Sequence, residues 1–90
     1  MTYRYELVVI YSPDLDDAGI QGQLEKLAGI VAQHSGSVVK QDLWGRKQLA
    51  YKINKRDAGF YVVTVFEGDN SLVADLERQL RINDTVLRHI

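Results

Sequence analysis

Asp42-Leu43-Trp44-Gly45-Arg46-Lys47-Gln48-Leu49-Ala50-Tyr51-Lys52-Ile53-Asn54-Lys55-Arg56 carries five of the chain's eleven basic residues, its only tryptophan and one of its five tyrosines. Leu49, Tyr51 and Ile53 alternate with Ala50, Lys52 and Asn54, the period-two pattern of a strand with two unlike faces. Gly45 interrupts the run directly after Trp44, which is the place for a bulge that re-aims neighbouring side chains. Cations interleaved with aromatics on an extended segment suit a nucleic-acid backbone, since Lys and Arg neutralise phosphates while flat rings stack on bases. Ordinary proteins also place lysine-rich strands at a sheet edge, where charge prevents edge-to-edge pairing. The residues immediately downstream decide the fold. Asn54 to Gly59 supplies turn formers for a hairpin loop, and Phe60–Phe66 reads as a further strand, apolar on both faces. Two strands therefore meet with no helix between them.

Working upstream, the extended segment begins at Ser37, after a helix that Asp16 or Asp17 caps and that runs to about His34. Ile20, Leu24, Leu27, Ala28 and Val31 recur at spacings of three and four and form its buried stripe. Acids in the first turn complement the helix dipole, and Gly36 is the expected C-terminal stop. Before this helix, Tyr3–Tyr11 is dense in β-branched and aromatic residues and reads as a strand that Pro13 closes. Its faces, Tyr5-Leu7-Val9-Tyr11 and Glu6-Val8-Ile10, are both largely apolar, the mark of a central strand. Downstream, Gly68 to Ser71 caps a second helix to about Arg81, buried through Leu72, Val73, Leu76 and Leu80. Asn83-Asp84 turns the chain, and Thr85 to Ile90 forms a short last strand.

The order β-α-β-β-α-β, with neighbouring strands paired and crossovers of one hand, gives a split β-α-β sandwich of the α+β class. This ferredoxin-like arrangement has a four-stranded antiparallel sheet with both helices on one face and the first and third strands central. The opposite sheet face has no helix to cover it. From Ser37 to Ile53 there are seventeen residues, which at roughly 3.3 Å each would span about 55 Å. The second helix, at about twelve residues, covers only about 18 Å. Part of the long strand should therefore overhang, leaving apolar area at Trp44, Leu49 or Tyr51 for a partner.

Ninety residues make one domain spanning 1–90. The net charge of -1 excludes a molecule that is basic all over. The distribution is uneven: Lys40 to Arg56 holds six basic residues against one acid, Asp42, while other acids gather at Asp14, Asp16, Asp17 and at Asp69, Asp75, Glu77. A basic face on a neutral body still binds phosphates. There is no cysteine, so disulfides, thiolate metal sites and thiol nucleophiles are excluded. No basic-then-apolar leader opens the chain and no apolar run approaches the roughly 18 residues of a membrane helix, so a cytoplasmic protein is expected.

Neither His34 nor His89 stands in metal-ligand spacing, and solvated capping roles suffice for Asp16-Asp17 and Asp75-Glu77. The seven glycines are scattered singly, so no phosphate-cradling loop is present. No catalytic constellation, cofactor site or small-molecule substrate is expected. RNA-recognition modules share this fold and display stacking rings on central strands, but here Val62 and Val65 in the third strand, and Glu6, Val8 and Ile10 in the first, offer no such platform. The open face is instead expected to be a protein-contact or partly covered surface. One alternative function is a regulatory or ligand-binding module of this fold that dimerises through that face.

At Trp44-Gly45-Arg46-Lys47-Gln48-Leu49-Ala50-Tyr51, followed by Ile53-Asn54-Lys55, the chain resembles the family of bacterial small-subunit ribosomal protein number six. Arg4-Tyr5-Glu6, Pro13-Asp14-Leu15-Asp16, Gly59-Phe60-Tyr61, Leu80-Arg81-Ile82-Asn83-Asp84 and Val86-Leu87-Arg88 extend the resemblance over nearly the whole length. The resemblance implies a structural role without catalysis in the small ribosomal subunit, where the family binds central-domain rRNA as a heterodimer with ribosomal protein number eighteen. By analogy, rRNA contacts fall on Arg4, Arg46, Lys47, Tyr51, Lys55, Arg56, Arg81, Asn83 and Arg88, and the partner protein uses Trp44, Leu49 and the adjoining strand edge. Lys52 departs from the family by standing where proline is common, and family members usually continue the last strand beyond the position of Ile90.

Overall fold

A computed structural model describes residues 2–53 and 55–89. The apolar-rich opening forms strand β1 (Tyr3–Tyr11), and Asp16 caps helix α1 (Asp17–Gln33) by accepting a hydrogen bond from the Gly19 N–H at 2.7 Å. Strand β2 (Ser37–Ile53) and strand β3 (Arg56–Gly68) make the hairpin, helix α2 (Asn70–Ile82) follows, and strand β4 (Val86–His89) closes the fold. The sheet order is β2-β3-β1-β4 with every pairing antiparallel, so the two strands with apolar faces are central as expected.

Alternation in the central strands sorts the two faces. Leu7, Val9 and Tyr11 of β1 pair with Thr64, Val62 and Phe60 of β3 and face the helices, where Ile20, Leu24, Leu27, Ile30 and Val31 of α1 meet Leu72, Leu76 and Leu80 of α2. The expected α1 stripe is corrected at one position: Ile30 is buried and Ala28 only partly so. The three- and four-residue spacing admits either residue, and the larger one fills the layer. The α1 stop also differs. Ser35, at φ 59°, takes the left-handed position, and the N–H groups of Ser35 and Gly36 bond the carbonyls of Ala32 and Val31 at 3.0 and 2.9 Å, a Schellman motif. The helices are joined on their polar sides. His34 Nε2 lies 2.8 Å from Asp75 Oδ2, and Asn83 Nδ2 donates to Gln23 Oε1 at 2.8 Å. Asp75 therefore holds two elements together rather than acting as a solvated cap.

The hairpin corrects two more expectations. Ile53 pairs with Arg56 around Lys55, which sits at φ 66°, and Ala58 and Gly59 lie inside β3 opposite Gln48 and Lys47. Gly59 is a strand glycine, not a turn former, because a Cβ there would collide with Ile10 Cγ2 on β1. Asn54 of the expected loop and Ile90 of the expected last strand lie outside the described residues.

The long strand also does not project straight. The longest dimension of the molecule is 39 Å, against about 55 Å for a straight strand of this length. Three register shifts bend β2, and at the last of them the four residues 49–52 face the single residue 57 of β3. That bend curls the tip back over the open sheet face. Leu49 is 8% exposed and lines, with Val8, Ile10, Ile53 and Tyr61, a cavity of about 220 Å³. The expected exposure holds for Trp44 at 55% and Tyr51 at 60%, and is reversed for Leu49.

Candidate nucleic-acid interface

The bend that shapes the tip also places its side chains. Gly45 sits at φ 86° within the register shift between Leu43 and Gly45, a conformation that costs a side-chain-bearing residue about 1–2 kcal/mol. Beside it, Trp44 stacks on Tyr61 with ring centroids 6.5 Å apart and planes 9° from parallel. Lys47 Nζ stands 5.7 Å from the Trp44 ring centroid, a cation–π distance. Tyr61 is the residue that sequence reasoning missed here; its alternation onto the open face, opposite Ile10, was the available signal.

Two arginines of the hairpin fasten it to the turn after β1. Arg46 donates to the Pro13 carbonyl at 2.5 Å, and Arg56 pairs with Asp14 at 2.5 Å. Across the open face, Arg88 of β4 donates to the Tyr51 hydroxyl and lies 5.8 Å from the centroid of its ring. Opposite edge strands of the sheet are thereby bridged by the curled tip. Arg81 lies in the last turn of α2, which returns to this same end because the Ser12 N–H bonds the Thr85 carbonyl at 2.8 Å.

The structure thus brings Arg46, Lys47, Tyr51, Lys55, Arg56, Arg81 and Arg88 to the hairpin end of the molecule. It sets two of the expected contacts apart from them. Arg4 is at the other end of β1, paired with Glu67 at 3.2 Å. Asn83 is spent internally: its Oδ1 accepts from the N–H and hydroxyl of Thr85 at 3.0 and 2.7 Å while its Nδ2 serves Gln23. Apolar exposure not foreseen from the sequence continues along β2 at Val39 and Leu43, on the outer edge of the sheet. Both lie beside a register shift, and such shifts leave no mark in the residue alternation. Among the described residues no group of three or more His, Asp or Glu could hold a metal ion, and no helix is long and apolar enough to cross a membrane.

The fold is an α+β sandwich whose hairpin end gathers exposed cations and aromatic rings beside a partly covered sheet face. The chain belongs to the ribosomal protein S6 family, whose family model matches residues 4–90, a structural family of the small ribosomal subunit and not an enzyme family. It is 40% identical over 87 residues to small ribosomal subunit protein bS6 of Clostridium botulinum, covering 97% of this chain and 93% of that one. The corresponding bS6 of Clostridium kluyveri is 39% identical over 87 residues, with 97% and 92% covered. The crystal structure of 30S ribosomal protein S6 from Thermotoga maritima superposes with a TM-score of 0.92 at 24% identity, over 100% of this chain and 85% of that one, which establishes the shared fold.

Proposed function

We propose that this chain is a structural constituent of the small ribosomal subunit, working in the cytoplasm, that binds the central domain of small-subunit rRNA jointly with ribosomal protein number eighteen. The observation that supports it is the convergence of Arg46, Lys47, Lys55, Arg56, Arg81 and Arg88 from β2, the turn, β3, α2 and β4 on one end of a chain whose net charge is only -1. Cations from five places in the fold match a folded phosphate surface better than a single extended strand. Tyr51 adds a stacking ring, while Arg4 and Asn83 complete the set as an outlying contact and a positioning residue.

The protein partner is assigned to Trp44 and the free edge of β2, with Leu49 available only once the tip lifts. That coverage of Val8 and Ile10 by the tip counts against dimerisation through the open face. The test is a gel-shift titration of a central-domain rRNA fragment, with and without ribosomal protein number eighteen, at two salt concentrations. Tight binding that needs the partner and weakens as salt rises is expected. Failure of the protein and of the mixture to shift the RNA would overturn the reading.

A further inference from the structure

The curled end of β2 is held down at few points. None of residues 49–52 is in register with β3, since Gln48 pairs with Ala58 and the next pair is Ile53 with Arg56. Of residues 48–52 only Leu49 is buried, and a cavity of about 220 Å³ is left between this segment and Val8 and Ile10 of the sheet. Two anchors remain. One is Leu49 on that apolar face. The other is Tyr51, whose hydroxyl accepts a hydrogen bond from Arg88 and whose ring centroid lies 5.8 Å from the same guanidinium. Arg88 is exposed and forms no ion pair among the described residues, so its charge is met by a hydroxyl rather than by a carboxylate.

We infer that residues 49–53 form a strap over the open sheet face, and that a phosphate taking the Arg88 guanidinium releases it. A phosphate oxygen carries charge, and charge-assisted hydrogen bonds with both groups ionised are stronger than those to a hydroxyl. The phosphate therefore wins Arg88 from Tyr51. Leu49 alone then holds the strap, above a face that it packs incompletely. Lifting uncovers Leu49, Val8 and Ile10 together as one apolar surface beside the cations of the hairpin end. The lifted state thus offers both a free guanidinium and an apolar surface. A ligand of either kind that selects this state favours the other by the same factor. This deepens the ribosomal reading and rests on it for the source of the phosphate: rRNA and an apolar protein partner strengthen each other's binding through the strap.

The full chain is titrated with sodium tripolyphosphate, against sodium chloride of equal ionic strength, and amide hydrogen exchange is read. Tripolyphosphate is expected to speed exchange at Leu49 and to leave Val62, in the central strand β3, unchanged, which separates lifting from general loosening. Arg88→Ala should exchange fast at Leu49 from the outset and respond no further. Tyr51→Phe keeps the ring and removes the acceptor, so it should bind tripolyphosphate about twofold to tenfold more tightly than the wild type by calorimetry. A Tyr51 hydroxyl that merely contacted phosphate would give the opposite sign. Unaltered exchange at Leu49, an Arg88→Ala chain that responds as the wild type does, or equal or weaker binding by Tyr51→Phe would overturn the strap. The expected responses beside a failed rRNA gel shift would uphold the strap and overturn only rRNA as the source of the phosphate.

Discussion

Gly59 and Tyr11 show at single residues how the packed sheet constrains chemistry. Gly59 faces Ile10, whose β-branched side chain is stiff, and a Cβ there would overlap its Cγ2. Gly59→Ala should therefore destabilise the fold by about 1–3 kcal/mol, the usual cost of overpacking, seen as a lower urea midpoint at unchanged slope; an unshifted midpoint would show that β1 and β3 can part at no cost. Tyr11 is 1% exposed, and burial pushes its phenol from 10.0 up to about 12. In the unfolded chain the phenol ionises near its ordinary value, whereas the folded chain keeps the proton until about 12. Stability from this group is thus complete below about pH 10 and falls as pH rises towards 12, by at most about 3 kcal/mol. Tyr11→Phe should lose less stability than the wild type between about pH 8 and about pH 11 when urea midpoints are compared; parallel losses would remove Tyr11 as the cause. Glycine content and a run of aromatics were legible in the sequence. That Gly59 serves close approach and not a turn was not legible, because the obstacle, Ile10, is forty-nine positions away along the chain.

Elements were the most legible scale, since periodicity is a local property. Both bounds of β2, Ser37 and Ile53, follow from the sequence, as does the irregularity at Gly45. Helix α2 reads from the N-cap acceptor Asp69 and the stripe Leu72-Leu76-Leu80. The curl of the hairpin tip did not read, because a shift of register changes which residues oppose one another without changing their order. Nor did the Arg88–Tyr51 bridge, whose partners come from opposite edges of the sheet. Alternation in Leu49-Tyr51-Ile53 pointed to two faces, but the face that Leu49 covers lies on β1 and β3. The tip's attachment is testable by itself. Tyr51→Phe removes the oxygen to which Arg88 donates and leaves the ring, so global stability should change by no more than about 1 kcal/mol. Trypsin should then cut faster at Lys52 and Lys55, and the Leu49 amide should exchange faster. Unchanged cleavage would mean that Leu49 packing alone holds the tip down.

At the scale of the whole molecule, a nearly neutral chain keeps its cations useful by neutralising some of them itself. Arg56 is committed to Asp14, Arg46 to the Pro13 carbonyl and Arg4 to Glu67, so these arginines shape the hairpin end, or the opposite end, as much as they charge it. Lys55 and Arg81 have no such commitment among the described residues. Arg4 also stands apart: Ile10, the partner of Arg88, lies six positions further along β1, about 20 Å at roughly 3.3 Å per residue. The basic cluster between Lys40 and Arg56 was plain in the sequence, whereas its division into free and committed charges arises from folded contacts, of Arg46 and Arg56 with residues 13 and 14 and of Lys40 with Asp42. This division gives the rRNA reading a graded consequence. Lys55→Ala and Arg81→Ala should each lower the slope of log affinity against log salt by about one unit, because each removes one phosphate-neutralising cation, with stability unchanged. Arg56→Ala should lower both the slope and the melting temperature, because it also frees Asp14. Arg4→Ala should alter the slope less than Lys55→Ala or Arg81→Ala. Slopes measured in the presence of the protein partner decide between the arrangements: equal reductions from all four variants would mean that RNA wraps the full length of β1, and no reduction from Lys55 or Arg81 would move the phosphate contacts away from the hairpin end.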